Sequence, residues 1–329
     1  MTRHFLTDTD LSPTELLEVL DLAAELKADP GTQVPFAGPG AAASGPGAAA
    51  SDAARKTVAV IFDKTSTRTR VSFAAGIAAL GGSPLIINPG EAQLGHKESI
   101  ADTAQVMSRM VSMIVWRTYA QAGLEEMAAN SSVPVINALS DDYHPCQLLA
   151  DLLTIREHRP TDAPGGLAGT TLAYFGDGAN NMANSYLLAG ANAGMHVRIA
   201  APASHQPATA IVQRAQALAV ETGGSIEITV DAEAAATGAD VLVTDTWVSM
   251  GQDAEGRGGA DSPFMPYQVN AALLDVAAEG ALVMHCLPAY RGQEITAEVI
   301  DGPQSVVFDE AENRLHAQMG LMAWLEARA

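Results

Sequence analysis

The sequence predicts an α/β protein built from two doubly wound, parallel-sheet domains. Three observations carry this. Short apolar, β-branched runs alternate with segments of helical period, as parallel sheets with helical crossovers require. A cluster of turn formers, Arg159-Pro160-Thr161-Asp162-Ala163-Pro164-Gly165-Gly166, separates two such series. The chain has 329 residues, enough for about two domains with substantial cores. The boundary is therefore expected at 158/159, with residues 1–158 as one domain and 159–329 as the other.

Taken in order, Ser12-Pro13-Thr14-Glu15 reads as a helix start, with a cap, a proline in the first turn and a capping-box glutamate. That helix should reach Lys27. A Gly/Pro/Ala/Ser-rich tract at 37–54 nearly repeats itself and lacks apolar periodicity, so it reads as a flexible insertion. Thr57–Ile61, Ser83–Asn88, Ser112–Trp116 and Val133–Ala138 read as strands of the first domain, with helices from Val71, Ser99 and Leu148 between or after them. In the second domain, strands are expected from Thr171, at His196–Ala200, Ile226–Val230, Val241–Asp245 and Leu282–His285. A long loop between Asp245 and Tyr267 has the length of a lid. A final helix is expected over Arg314–Arg328 and should pack back on the first domain.

Composition narrows the function. A net charge of -20 argues against nucleic acid and anionic membranes as partners. No run is apolar over the ~20 residues a membrane helix needs, and the first residues lack the apolar core of a signal peptide. The two cysteines, Cys146 and Cys286, form no disulfide framework, and no Cys/His pairing suggests a metal. A cytoplasmic protein without metal or cofactor is expected.

The chemistry concentrates in Asp63-Lys64-Thr65-Ser66-Thr67-Arg68-Thr69-Arg70. This run follows a strand and opens a helix, where free backbone N–H groups and the helix dipole attract anions. Ser66, Thr67 and Thr69 add hydroxyls. Lys64, Arg68 and Arg70 add charge in a chain with only 18 lysines and arginines. Arg117 and His144 also stand at expected strand ends, where ligands bind in such sheets. Gly176-Asp177-Gly178-Ala179-Asn180-Asn181 approaches a dinucleotide fingerprint but has Asn181 at its third glycine position and no acidic residue ~20 positions on. An NAD-dependent oxidoreductase is disfavoured on that ground. An amide at a helix start suits an amino acid's charged groups instead.

Ser66-Thr-Arg-Thr-Arg70, His144-Pro-Cys-Gln147, Asp245-x-x-x-Ser249-Met250-Gly and His285-Cys286-Leu287-Pro288 together resemble the carbamoyltransferases, the last two most closely the ornithine-specific branch. The likeness spans nearly the whole chain outside 37–54. It implies two parallel α/β domains with an interdomain cleft, and a homotrimer or a multiple of trimers. It further implies that Ser66, Thr67, Arg68, Thr69, Gln93 from a neighbouring subunit, Arg117, His144, Gln147, Cys286, Leu287 and Arg314 hold carbamoyl phosphate. Asn181, Asp245, Ser249 and Met250 would hold L-ornithine, with Cys286, Asp245, His144 and Arg117 as catalytic residues. Tyr290 and Met319 depart from the family, which often has His and Lys there.

The roles follow from ordinary chemistry. Arginine forks pair bidentately with phosphate oxygens, and Arg117 and His144 can donate to a carbonyl oxygen gaining negative charge. Ornithine's side-chain amine, with a free pKa near ~10, must lose a proton before attack. Asp245 and Cys286 are the groups placed to orient or deprotonate it, and whether Cys286 is the base or a contact stays open. Aspartate as acceptor would need cations in the second domain. There residues 165–313 hold only Arg198, Arg214, Arg257 and Arg291, and no lysine. Putrescine, an acylated ornithine or a non-catalytic binding paralogue remain as alternatives.

Overall fold

The computed structural model describes residues 2–37, 55–91, 98–159, 166–248, 259 and 261–329. Two units divide the chain. The first comprises Met1–Ala150 with Arg314–Ala329, and the second Asp151–Asn313. This division falls between Ala150 and Asp151, inside the helix Pro145–His158, and the boundary expected after residue 158 lies at that helix's end.

In the first unit the order is α1 (Pro13–Ala28), β1 (Thr57–Phe62), α2 (Thr67–Ala79), β2 (Ser83–Ile87), α3 (Ile100–Met107), β3 (Met113–Arg117), α4 (Gln121–Asn130), β4 (Val135–Leu139) and α5 (Pro145–His158). The strands lie β2-β1-β3-β4, all parallel. Every residue of β3 is buried, as is nearly all of β1, which explains their unbroken apolar runs. α1 starts as its sequence requires. The Ser12 side chain accepts from the Glu15 N–H, and the Glu15 carboxylate accepts from the Ser12 N–H at 2.9 Å.

The second unit runs β5 (Thr171–Phe175), α6 (Asn181–Asn192), β6 (His196–Ala200), α7 (Thr209–Thr222), β7 (Ser225–Thr229), α8 (Ala232–Ala236), β8 (Val241–Thr244), α9 (Ala271–Val276), β9 (Leu282–His285), α10 (Ala297–Ile300) and the start of α11 (Val307–Glu326), which from Arg314 onward belongs to the first unit. Its parallel sheet has the order β7-β6-β5-β8-β9. The core gathers Phe175, Leu242, Val283, Ile295 and Val307 from strands, loops and helices. α11 begins at Val307 rather than near Arg314, because Val306 and Val307 are buried and extend its apolar face toward the N-terminus.

In both sheets the order reverses at one point, between β1 and β3 in the first and between β5 and β8 in the second. Ligands of such folds bind at the carboxyl ends of the strands there. Among the described residues no helix is long and apolar enough to cross a membrane.

Candidate active site

In the first unit, the switch point carries the basic run. Ser66 caps α2, its hydroxyl accepting from the Thr69 N–H at 3.3 Å, so part of its capacity serves the helix. The residue after β1 and the end of β3 are tied by the Asp63 N–H donating to the Arg117 carbonyl at 2.9 Å, which holds the end of β3 beside the loop that leads to the cap. Arg117 and His144 are buried. From α11, Arg314 reaches back within the same unit. Its guanidinium donates to Gln147 Oε1 at 2.6 Å and to Thr69 Oγ1 at 3.1 Å. Thr69, Gln147 and Arg314 are all buried, so this fork joins α2, α5 and α11.

His144 reports the electrostatics. Burial, then the charges of Arg314, Arg117 and Arg68, hold its imidazole well below the usual histidine range. It is neutral at pH 7 and can donate one hydrogen bond without adding charge. Three guanidinium groups around a neutral ring make a site that favours an anion. Two cations of the basic run serve otherwise than expected. Lys64 pairs with Asp141, and Arg70 stacks over the Phe62 ring at 5.3 Å. Arg68 is the cation of that run that acts on His144.

The second unit gathers the opposite charge. Asp245 follows β8 and is buried. It accepts from the Cys286 thiol at 3.2 Å and from the Thr246 N–H at 2.7 Å. Burial raises its pKa above the usual carboxylate range, against the lowering effect of His285 and its own hydrogen bonds. Burial first, then Asp245, Glu310 and Asp151, push the Cys286 thiol well above the normal range. Cys286 is therefore a thiol that donates, not a resident thiolate. At the start of α6, Asn180 caps the helix by accepting from the Ala183 N–H at 2.8 Å and donates to the Tyr174 hydroxyl at 2.9 Å. Asn181, the first helical residue, is partly exposed beside it. Gly176 has φ +126°, and a side chain there would meet Trp247 Nε1 at 3.3 Å, so the close approach of the Trp247 ring needs glycine.

Sequence reasoning missed the support beneath Cys286. The Leu287 N–H donates to His285 Nδ1 at 2.9 Å, so the ring proton sits on Nε2 and points to Glu294 Oε1 at 3.2 Å. The His285 N–H donates to Glu310 Oε2 at 2.8 Å. His285, Glu294 and Glu310 are fully buried, and Leu287 is held at φ +54°, ahead of a cis bond to Pro288. Glu294 was hidden because it lies nine residues past His285, across a turn. Asp245, His285 and Cys286 bring one ligand atom each within 4.8 Å of one another. Their contacts to each other, to Leu287 and to Glu294 already engage those atoms, so the trio reads as a hydrogen-bonded network.

Gln93, Ser249 and Met250 lie outside the described residues, as do nearly all of the 37–54 tract and the greater part of the loop before Tyr267. Of the two departures, Met319 is a core residue packed against Gly76. Tyr290 is half exposed, and its N–H donates to Glu294.

The chain matches two family models, the carbamoyl-P binding domain of aspartate/ornithine carbamoyltransferase over residues 3–157 and the Asp/Orn binding domain over residues 168–325. It is 68% identical over 329 residues, all of both chains, to the ornithine carbamoyltransferase of Renibacterium salmoninarum. It is 59% identical over 325 residues, 99% of each chain, to that of Clavibacter sepedonicus. The solved ornithine carbamoyltransferase of Pyrococcus furiosus superposes with a TM-score of 0.88 at 41% identity, covering 99% of this chain and 98% of that one. With both family models matched in order and relatives this similar along its whole length, the chain belongs to the aspartate/ornithine carbamoyltransferase family.

Proposed function

We propose that this enzyme transfers the carbamoyl group of carbamoyl phosphate to the side-chain amine of L-ornithine, releasing L-citrulline and phosphate. One observation carries the choice of acceptor. The second unit surrounds Asp245 and Cys286 with Asp151, Glu294 and Glu310, an environment that favours a cationic amine over a dicarboxylate. The described residues of that unit add no lysine to offset it.

In this reading Ser66, Thr67, Arg68, Thr69, Arg117 and Arg314 hold the phosphate. His144 and Gln147 hold the carbamoyl end, and Asn181 and Asp245 hold ornithine. Ser249 and Met250 would join Asn181 and Asp245, and Gln93 would come from a neighbouring subunit of a trimer. Those three roles and the trimer rest on the family resemblance. The ammonium of ornithine gives up a proton, its nitrogen forms the new N–C bond, and the C–O bond to phosphate breaks. The neutral His144 and Arg117 donate to the carbonyl oxygen as charge develops on it. Asp245 is the proton partner of the amine, since its pKa is raised and the Cys286 thiol already donates to it. Cys286 is then a contact that orients Asp245 and borders the reacting carbon with Leu287. No cofactor is required, and a cytoplasmic setting fits both substrates.

Binding measurements separate the two halves. Arg68→Ala should weaken carbamoyl phosphate about 10²-fold, the loss of one bidentate ion pair of roughly 3 kcal/mol, and leave the fold intact. Asp245→Asn should leave carbamoyl phosphate binding within about threefold and remove most turnover with ornithine. Unchanged turnover in either variant would contradict the assignment.

A further inference from the structure

We infer that Lys64 is a positioning residue for the carbamoyl phosphate site, its ammonium fastening the loop after β1 to the loops after β3 and β4. The inference rests on the functional reading above and adds a residue to it. Lys64 stands two residues before the cap Ser66. Its ammonium pairs with the carboxylate of Asp141, which lies three residues before His144. The same ammonium sits 4.3 Å from the ring centroid of Tyr119, two residues after Arg117. One charged group thus touches each of the three loops that carry a ligand group: the phosphate cradle, Arg117 and His144.

The backbone prepares this contact. The Asp63 N–H donates to the Arg117 carbonyl at 2.9 Å, the Thr118 N–H to the Leu139 carbonyl at 3.0 Å, and the Asp141 N–H to the Tyr119 carbonyl at 2.7 Å. Trp116 Nε1 adds a bond to the Asp63 carboxylate at 3.0 Å. These links hold the strand ends, and Lys64 ties the side chains beyond them. The Lys64 side chain is only 11% exposed, whereas that of Asp141 is 58% exposed. A largely desolvated ammonium, stacked on an aromatic face and paired with a carboxylate, is held more firmly than a surface lysine.

A cation meant to grip phosphate would not be given a carboxylate partner, because the pair cancels the charge the ligand would feel. The two roles therefore predict opposite effects of removing Asp141. If Lys64 gripped the ligand, Asp141→Asn would release its charge and tighten anion binding. As a tether, the same change loosens the His144 loop and weakens binding.

The test is calorimetric binding of phosphonoacetamide, a stable carbamoyl phosphate analogue, without ornithine. Wild type, Lys64→Met, Lys64→Arg, Asp141→Asn and the double variant Lys64→Met/Asp141→Asn are compared, with thermal unfolding as the check on folding. We expect Lys64→Met and Asp141→Asn each to weaken binding about threefold to tenfold, and the double variant to be no worse than the weaker single one. Lys64→Arg should recover most of the loss. The KM for carbamoyl phosphate should rise in parallel, while the KM for ornithine stays within about twofold, a split that a general loss of stability would not produce. Asp141→Asn changes a half-exposed side chain and keeps the test open if Lys64→Met does not fold. Binding by Asp141→Asn as tight as wild type or tighter, or additive losses in the double variant, would overturn the tether. Wild type that binds the analogue beside variants that match it refutes this inference alone. Wild type that fails to bind it refutes the functional reading and this inference together.

Discussion

At the scale of single residues, neighbours have moved proton affinities away from ordinary values, and each move has a measurable consequence. Folding lowers the pKa of His144, so the unfolded chain takes up a proton below about 6.5 that the folded chain refuses. Stability contributed at this position is therefore intact above that pH and falls as pH drops, by up to about 1.4 kcal/mol per unit below 6.5. His144→Gln lacks this acid limb. The gap in unfolding free energy between wild type and variant, followed by denaturant titration, should shift in the variant's favour between pH 7.5 and 5.5. A pH-independent gap would mean that His144 titrates normally. The variant should also lose about 10²–10³-fold in kcat if His144 donates to the developing oxyanion. Cys146 shows the opposite shift. Its thiol donates to the Asn137 carbonyl at 3.3 Å, and burial pushes its pKa up to about 12. Peptide mass spectrometry should find Cys146 unmodified by iodoacetamide at pH 8 in native protein and fully alkylated after denaturation. Rapid native labelling would contradict the burial.

At the scale of elements, much was legible in the sequence. β1, β3, β5 and β9 could be read because buried parallel strands leave apolar runs, and α1 because its capping box is local chemistry. The start of α11 was not legible. Val307, Phe308 and Asp309 form no periodic stripe by themselves, and the helix starts there because Val306 and Val307 are buried in the second unit. The site divides the same way. Ser66–Arg70, His144, Asp245 and Cys286 stood out because they lie at strand ends in compact motifs. The contacts of Glu310 and Glu294 with His285 did not, since only the fold brings those positions together. Nor could spacing show that Lys64 and Arg70 face Asp141 and Phe62. Packing of α11 gives a direct test. A side chain at Gly320 would meet the Val19 carbonyl at 2.7 Å and the Ala23 N–H at 2.8 Å on α1. Both neighbours are backbone and cannot rotate away, so Gly320→Ala should destabilise by about 1–3 kcal/mol. Thermal melting should show a clear fall in Tm, and an unchanged Tm would mean that the two helices are less closely packed.

At the scale of the whole molecule, two sheets place opposite charge at their switch points. A cation-rich site forms around His144 in one unit, and an acid-rich site around Asp245 in the other. The first suits a phosphate leaving group and the second an amine that arrives protonated. If sites are shared across a trimer through Gln93, mixing Gln93→Ala with Arg68→Ala subunits should restore part of the activity each lacks, and light scattering should give a trimer or a multiple of it. No restoration after verified subunit exchange would count against shared sites. The acid-rich site selects the acceptor, and phosphate release from carbamoyl phosphate, measured with L-ornithine, putrescine, N-acetylornithine and L-aspartate in parallel, reads that selection. Release should be rapid with L-ornithine and stoichiometric with citrulline, with kcat/KM at least about 10²-fold lower for each of the others. Comparable or faster turnover with aspartate or putrescine would contradict that selection.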